Sequence, residues 1–223
     1  MLARHPAYRA LRMGRVVGPA LLRYRMLEWQ EARGRDAAAG WERNHERLAK
    51  GLARLGEDLG GFVVKLCQVA GARADVLPPP FLRELGRFHD RVTPRPWRAL
   101  EPFVASELGR PVGEVFASVD PEPVAAASLA QVHRARLASG ELVALKVQYP
   151  EAEHLYRTDL ALVRRMVQMA SRLFPGFPLR GAVEDVAHFI GLELDFVREA
   201  ESTERIRGAM RADGDVVVPR LHA

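Results

Sequence analysis

Residues 131–148, which read QVHRARLASGELVALKVQ, decide the fold class of this chain. Two stretches rich in aliphatic residues, 131–137 and 142–148, flank Ala138-Ser139-Gly140-Glu141, which predicts a β-hairpin with a four-residue connection. Successive side chains of a strand point to opposite faces. The second strand is therefore predicted to direct one set of side chains to one face of the sheet (Val143, Leu145, Val147) and the other set to the opposite face (Ala144, Lys146, Gln148).

Helices are predicted on both sides of the hairpin. Apolar residues recur at helical spacing over 41–74, with a break at Gly60-Gly61. A tri-proline at 78–80 precedes a short helix over 81–88, and a further helix over 97–108 ends at Gly109. Strand character begins at Phe116. After the hairpin, the pattern predicts helices over 152–174 and 183–210, a turn at 175–178 between them, and a last strand over 216–218.

Composition excludes several classes of protein. A chain of 223 residues that is 48% hydrophobic can bury a core for one or two domains. It has no apolar run long enough to span a bilayer, and its start lacks the apolar region of a secretory signal. The single cysteine, Cys67, excludes an internal disulfide, and the scattered histidines disfavour a structural zinc site. A cytoplasmic location is expected.

Positive charge is concentrated at the start of the chain. Residues 1–50 carry eleven basic and five acidic side chains, a net charge of +6, whereas the other 173 residues carry −1. The early arginines alternate with leucine and valine (Arg4, Arg9, Arg12, Arg15, Arg23, Arg25). This pattern fits a segment on an anionic membrane surface or a solvated helix, although Gly14, Gly18 and Pro19 are expected to interrupt a long helix. Nucleic-acid binding is disfavoured because the remainder is nearly neutral.

Lysine is rare in this chain, and its positions are informative. Thirty of the 33 basic residues are arginines, and the three lysines are Lys50, Lys65 and Lys146. A compact ammonium in an arginine-rich chain suggests a position where a guanidinium does not serve. Lys50 lies in a polar helical stretch, whereas Lys65 and Lys146 lie in the most structured motifs.

Three features near Lys146 indicate phosphate handling. Residues 123–132, PVAAASLAQV, form a loop before the hairpin, and its backbone amides could face phosphate. Alanine adopts positive φ only at a cost, so this loop is predicted to be stiffer than a glycine-rich one. An acidic helix follows downstream of the lysine strand. In kinase-like folds, a strand lysine contacts nucleotide phosphates and is held by a helix glutamate. In the alternative interpretation, the alanine run forms a helix, and Lys146 is a half-exposed lysine on an edge strand without a role in phosphate binding.

Four segments in the same order resemble the UbiB (AarF-type) family of atypical kinases. Lys65-Leu66-Cys67-Gln68 resembles that family's K-x-G-Q signature, and the alanine-rich loop leads into Gln131-Val132-His133. The lysine strand ends in Lys146-Val147-Gln148-Tyr149-Pro150, and Glu193-Leu194-Asp195 matches the E-x-D signature, with Glu199 behind it. The resemblance covers roughly residues 45–223.

The resemblance implies an α+β fold, a protein-kinase-like N-lobe with a small antiparallel sheet and an αC-type helix, preceded by a helical family-specific extension. It divides the chain into a basic segment (1–40), the extension carrying Lys65 and Gln68 (41–110), and the N-lobe (111–223). It implies ATP or ADP with Mg²⁺ as cofactor and a link to ubiquinone biosynthesis. Adenine nucleotide is the implied partner, and an anionic membrane surface or a lipid or quinone precursor is a further one.

The same resemblance assigns residues to the site. Seven residues are expected at the nucleotide: Ala126, Ala127, Ser128, Val132, Ala144, Lys146 and Glu199. Four are expected to face the cleft and regulate access: Lys65, Gln68, Glu193 and Asp195. Glu199 is expected to pair with Lys146. Lys65 is expected to meet Glu193 or Asp195, and the spacing leaves that choice open.

Two departures from the family pattern stand out. Cys67 occupies the glycine position of the K-x-G-Q signature. The base aspartate, metal-binding asparagine and metal-binding aspartate of phosphoryl transfer are expected downstream of the strand lysine, yet the only asparagine is Asn44. The ligands for Mg²⁺ are therefore expected in a C-lobe that these residues lack. Two hypotheses remain: a nucleotide-binding lobe that is active only with a C-lobe, or a non-catalytic lobe that binds a membrane or a partner.

Overall fold

The computed structural model describes residues 5–75, 77–89, 93–174, 179–211 and 215–222. Arg4, Val76 and the predicted turn at 175–178 lie outside the described residues. The helices before the sheet are α1 (Pro6–Glu31), α2 (Ala38–Leu59), α3 (Gly61–Gly71), α4 (Pro79–Leu85), α5 (Trp97–Leu108) and α6 (Val112–Val115). The predicted break is confirmed, because Gly60 and Gly61 have φ of 62° and 51° between α2 and α3.

The antiparallel sheet consists of β1 (Phe116–Ala126), β2 (Ala130–Leu137) and β3 (Leu142–Gln148) in the order β1-β2-β3. The predicted hairpin is confirmed as β2 and β3, with Val132 opposite Lys146. Val147 is buried while Ala144 and Lys146 are exposed, so the predicted alternation holds. β1 carries prolines and register irregularities, which suit an edge strand because proline cannot donate to a ladder.

The helices after the sheet are α7 (Ala152–Leu173), α8 (Leu179–Leu194) and α9 (Phe196–Ala209). The prediction of one helix over 183–210 is wrong, because Asp195 ends α8 and caps α9. Its carboxylate accepts a hydrogen bond from the Arg198 amide at 2.9 Å, which satisfies an amide that a helix start would leave unpaired.

The predicted last strand over 216–218 is also wrong. These residues form no ladder with the described strands, and Val217 is 91% exposed. Arg220 instead pairs with Glu141 in the hairpin turn, at 2.7 Å. β propensity produces a strand only where a neighbouring edge supplies hydrogen bonds and packing.

The long α1 differs from the sequence prediction, because Gly14, Gly18 and Pro19 do not interrupt it. Gly14 and Gly18 lie where an added side chain would meet no neighbour, and Pro19 is exposed. The helix is held by packing on α2 and α7 rather than by local propensity. Arg9, assigned from sequence to a solvated or membrane-facing surface, is fully buried.

Two hydrophobic cores meet at α3. The core under the sheet includes Phe62, Leu100, Val147 and Ile190, and it joins α3, α5, α7 and α8 to β3. The other core packs the helical extension and draws from α3 as well (Val63 and Cys67). Because α3 contributes to both cores, the helix that carries Lys65 and Gln68 has a fixed position over the sheet.

Candidate functional site

A cleft of about 780 Å³ opens between α3, the loop after β1, β3 and the start of α9. Residues of the two sequence-predicted groups line it together: Ala126, Ala127, Ser128, Lys146 and Glu199, with Lys65, Gln68 and Glu193. Sequence segments far apart in the chain therefore meet in one cavity. Pro94 and Phe196 complete the wall.

Lys146 and Glu199 form an ion pair at the edge of this cleft. The Lys146 ammonium lies 2.6 Å from Oε1 and 2.5 Å from Oε2 of Glu199, so it donates to both oxygens. It also lies 4.5 Å from the centre of the Phe196 ring, within the range of a cation–π contact. The two side chains are 41% and 49% exposed, so solvent or a ligand reaches both of them.

Lys65 pairs with Glu193 on the opposite side of the cleft, at 2.6 Å. Of the two carboxylates that the sequence left open, Glu193 is thus the partner. Asp195 is occupied as the N-cap of α9 and is not among the residues that line the cavity. The cap nevertheless serves the site, since it fixes where α9 begins and so where Glu199 lies.

The prediction of a loop over 123–132 is wrong for most of its length, because 123–126 belong to β1 and 130–132 to β2. Residues 127–129 alone form a tight connection between the two strands. The Ala127 amide donates to the carbonyl of Ala130 at 2.8 Å, which closes the turn. No residue other than glycine has positive φ in the described part of the chain, so the alanines adopt ordinary backbone angles. Val132 and Ala144 lie on the same sheet face as Lys146 but do not line the cavity.

Gln68 and Cys67 attach the Lys65 helix to its surroundings. The Gln68 amide donates to the carbonyl of Phe88 at 2.7 Å. Cys67 is buried, and burial raises the pKa of its thiol to about 12, so it stays protonated. A Cβ on Gly56 would lie 3.3 Å from the Cys67 sulfur and 2.7 Å from Phe88. Gly56 in α2 therefore leaves room for the cysteine that replaces the signature glycine.

Comparison with known proteins identifies the family. The ABC1 atypical kinase-like domain matches residues 87–223, which is more than half of the chain. This chain belongs to the ABC1 atypical kinase-like family. The ABC1 match begins shortly before α5 and includes the whole sheet, Lys146 and Glu199.

Several ABC1 relatives are similar to this chain. An AarF domain-containing protein kinase of Arabidopsis thaliana chloroplasts is 35% identical over 175 residues, covering 77% of this chain and 25% of the relative. AarF domain-containing protein kinase 1 of Mus musculus is 32% identical over 178 residues, covering 80% of this chain and 34% of the relative. The first relatives are covered over 25% to 39% of their length. A Mycobacterium tuberculosis protein whose structure was solved in complex with erythromycin is 30% identical to this chain, with a TM-score of 0.49. The match covers 84% of this chain and 47% of the solved chain.

Sequence reasoning missed a buried polar network behind the ABC1 cleft. Gln131 donates to the Arg95 carbonyl at 3.0 Å and accepts from the Arg95 amide at 2.9 Å. The His133 ring lies 2.7 Å from both Gln131 Nε2 and the Asp120 carbonyl. Because a carbonyl only accepts, Nδ1 donates to Asp120 and Nε2 of the neutral ring accepts from Gln131. The Gln131-Val132-His133 motif was the only sequence signal for this network.

Arg95 holds the other end of this network. Its guanidinium donates to Glu151 at 2.7 Å and lies 4.2 Å from the centre of the Tyr149 ring. Burial raises the pKa of the Tyr149 hydroxyl, an effect that the nearby Arg95 charge opposes. Because Gln131 bonds to both backbone groups of Arg95, it positions the neighbouring Pro94 in the cleft wall.

The cleft presents two ammonium groups, each already paired with a carboxylate. A multiply charged anion that enters can accept hydrogen bonds from both lysines while the glutamates keep them oriented. No cluster of three metal-ligating side chains occurs in the described residues, and none of their helices is long and apolar enough to cross a bilayer.

Proposed function

We propose that this ABC1 chain contacts the phosphates of an adenine nucleotide, ATP or ADP with Mg²⁺, in the cleft beside Lys146. The observation that carries the proposal is the exposed ion pair between Lys146 and Glu199, which faces a cavity large enough for a nucleotide. In this role Glu199 orients the lysine, and the ammonium contacts phosphate oxygens.

The other residues expected at the nucleotide, in the cleft and on the adjoining sheet face, have complementary roles in this proposal. Amides of the loop at Ala126, Ala127 and Ser128 approach the phosphates, while the small Ala144 and the adjacent Val132 leave room for the base. Lys65, Gln68 and Glu193 form the facing wall and limit access to the phosphates. The support for these roles is their position around one cavity and on one sheet face.

For the whole protein we propose ATP-dependent phosphoryl transfer or hydrolysis linked to isoprenoid quinone biosynthesis. The support is family membership and the resemblance of the four motifs. These residues contain no asparagine after Lys146, so in this proposal the metal-binding asparagine of phosphoryl transfer comes from outside them. This chain supplies nucleotide contacts and the regulated wall of the cleft.

The test is titration of the chain with Mg-ATP and Mg-ADP by calorimetry or with a fluorescent nucleotide. Weak binding is expected because the chain forms only part of a nucleotide site. Lys146→Ala is expected to lower the affinity about tenfold or more, since it removes charge-assisted hydrogen bonds to phosphate.

Lys50→Ala is the matched control, because Lys50 is an exposed lysine on α2 away from the cleft. It is expected to bind nucleotide like the unaltered chain. Equal binding by the Lys146→Ala variant and the unaltered chain would contradict the proposal. An equal loss in both lysine variants would indicate unspecific attraction of the anion to positive charge.

We also propose a second function, contact of α1 with an anionic membrane surface. Its exposed side carries Leu11, Leu22, Met26 and Trp29 at spacings that place them on one helix face, and Leu22 is 71% exposed. Arg15 and Arg33 lie on the same side, with the Arg33 guanidinium 3.4 Å from the centre of the Trp29 ring. Apolar side chains flanked by arginines suit the headgroup region of a bilayer.

Co-sedimentation with phosphatidylglycerol vesicles tests this contact. The double variant Leu22→Gln and Trp29→Gln is expected to lose most of its vesicle binding, because the apolar contribution to partitioning disappears. Leu142→Gln with Val217→Gln is the control, since these apolar residues are also exposed, at 60% and 91%, but lie outside α1. If both double variants bound vesicles as the unaltered chain does, α1 would not be the contact.

A further inference from the structure

A second cavity, separate from the nucleotide cleft, lies where the end of α1 meets the start of α2. It has a volume of about 290 Å³ and is lined by residues of both helices. Three arginines reach it: Arg23 from α1, and Arg43 and Arg47 from α2. Arg43 and Arg47 are four residues apart, so they share one face of the helix.

These three arginines have no carboxylate partner in the described part of the chain. Other arginines nearby are paired, such as Arg25 with Glu28 at 2.7 Å and Arg87 with Glu57 at 3.3 Å. Asp36 is the one acidic residue among the described lining residues, and its carboxylate accepts from the Ala38 amide at 3.0 Å. The charged side chains at the cavity therefore leave an excess of positive charge.

The start of α2 adds to this positive potential. α2 has 22 residues, and its N-cap, Ala37, has no side chain that could accept from the first amides. There is no acidic residue in the first turn, and Ala37, Ala39 and Gly40 border the cavity. The Ala38 amide donates to Asp36, and the Gly40 and Trp41 amides donate to the Ala37 carbonyl. The Ala39 amide is left to attract an anion, and its partial charge adds to the charge of the arginines.

Asn44 provides an independent indication of a ligand. It lies at the cavity but is only 1% exposed, and its amide nitrogen donates to the carbonyl of Ala20 at 3.1 Å. Its side-chain oxygen has no hydrogen-bond partner among the described residues. An unpaired buried acceptor is costly, so a group that brings a donor to this oxygen would be favoured.

We propose that this cavity binds a phosphate group that carries a hydroxyl. Arg23, Arg43 and Arg47 contact the phosphate oxygens together with the Ala39 amide, and the hydroxyl donates to Asn44. The cavity volume suits a small phosphorylated group rather than a nucleotide. A lipid headgroup and a soluble phosphate ester share this chemistry, and Met26 at the cavity lies on the exposed apolar side of α1.

The experiment is titration of the 223-residue chain with glycerol 3-phosphate and with inorganic phosphate at low ionic strength, followed by ³¹P NMR or calorimetry. In parallel, binding is measured to vesicles of phosphatidylglycerol and of phosphatidylcholine. The double variant Arg43→Gln and Arg47→Gln is expected to lower the affinity about tenfold or more, because each arginine supplies a charge-assisted hydrogen bond.

The matched control is Arg54→Gln with Arg98→Gln, which removes the same charge from exposed arginines outside the cavity. It is expected to change the affinity by less than about twofold, because distant exposed charges are screened. Lys146→Ala removes the contribution of the nucleotide cleft to phosphate binding, and the part of the binding that depends on Arg43 and Arg47 is expected to remain in this variant. Thermal denaturation establishes that the variants are folded.

The titrations with soluble phosphates and the vesicle measurements distinguish a soluble phosphate ester from a lipid headgroup as the ligand. Arginine-dependent binding of glycerol 3-phosphate supports a soluble ligand, and arginine-dependent binding to phosphatidylglycerol vesicles alone supports a headgroup. The proposal is overturned if neither soluble phosphates nor vesicles bind. It is also overturned if the two double arginine variants behave alike, or if binding depends on Lys146 and not on Arg43 and Arg47.

Discussion

Ion pairs in two regions of the ABC1 chain differ in burial. At the junction of α1 and α7, Arg9 and Asp159 are both 0% exposed, and the guanidinium donates to both carboxylate oxygens. Arg9 also donates to the Leu59 carbonyl at 2.9 Å, at the end of α2. In the cleft, Lys146 with Glu199 and Lys65 with Glu193 face a cavity and retain access to solvent.

The difference indicates distinct uses of the two cations. Arginine offers a planar set of donors, so one side chain can bond a carboxylate and a carbonyl in a dry interior. Lysine presents a compact ammonium that can exchange one partner for another at low cost. The buried pair is thus a permanent link between helices, whereas the cleft pairs hold ammonium groups ready for a ligand.

The largest effect is expected from breaking the buried pair. Arg9→Ala leaves the Asp159 charge buried without its partner, which should lower the free energy of unfolding by about 3–5 kcal/mol. Urea denaturation followed by far-UV circular dichroism measures this change.

A double variant distinguishes loss of the pair from loss of packing. Arg9→Met with Asp159→Leu removes both charges and keeps the volume, so it should be much more stable than the single Arg9→Ala variant. A double variant as unstable as Arg9→Ala would show that the side-chain shape at the α1–α7 junction, rather than an unpaired charge, accounts for the loss.

The smallest effect on stability is expected from breaking the ion pair between Lys65 and Glu193 in the cleft. Lys65→Ala and Glu193→Gln should each change the free energy of unfolding by no more than about 1 kcal/mol, because a solvent-accessible ion pair contributes little. The coupling energy from the two single variants and the double variant, measured by the same urea denaturation, should be similarly small. A coupling as large as that of the buried pair would mean that Lys65 is mainly a structural residue.

Local patterns predicted most of the elements near the site. The alternation in 142–148 was sufficient to place Lys146 on the outer face, and Gly60-Gly61 was sufficient to separate α2 from α3. These two features depend on short-range periodicity and backbone restrictions that single residues reveal. The pairing of Lys146 with Glu199, which the structure shows at 2.5 Å, was instead implied by the family resemblance.

Features that depend on distant partners could not be predicted in this way. Arg9 looks like any other arginine of the basic segment until Asp159, 150 residues away, lies beside it. The break at Asp195 lacks glycine or proline, and its only sequence signal was an aspartate that also suits an acidic helix. The valines at 216–218 have strand propensity but no partner in the described sheet.

The helices α3 and α9, which both contribute to the cleft, are packed to different extents. Phe62 and Val63 are neighbours in sequence but belong to different cores, so displacing α3 would disrupt both cores at once. α9 has no buried residue and continues from α8 only through the joint at Asp195. Segments with few buried contacts open at the lowest cost in free energy. Glu199 on α9 is therefore held by less packing than Lys65 on α3, and α9 is expected to exchange its amide hydrogens faster than α3.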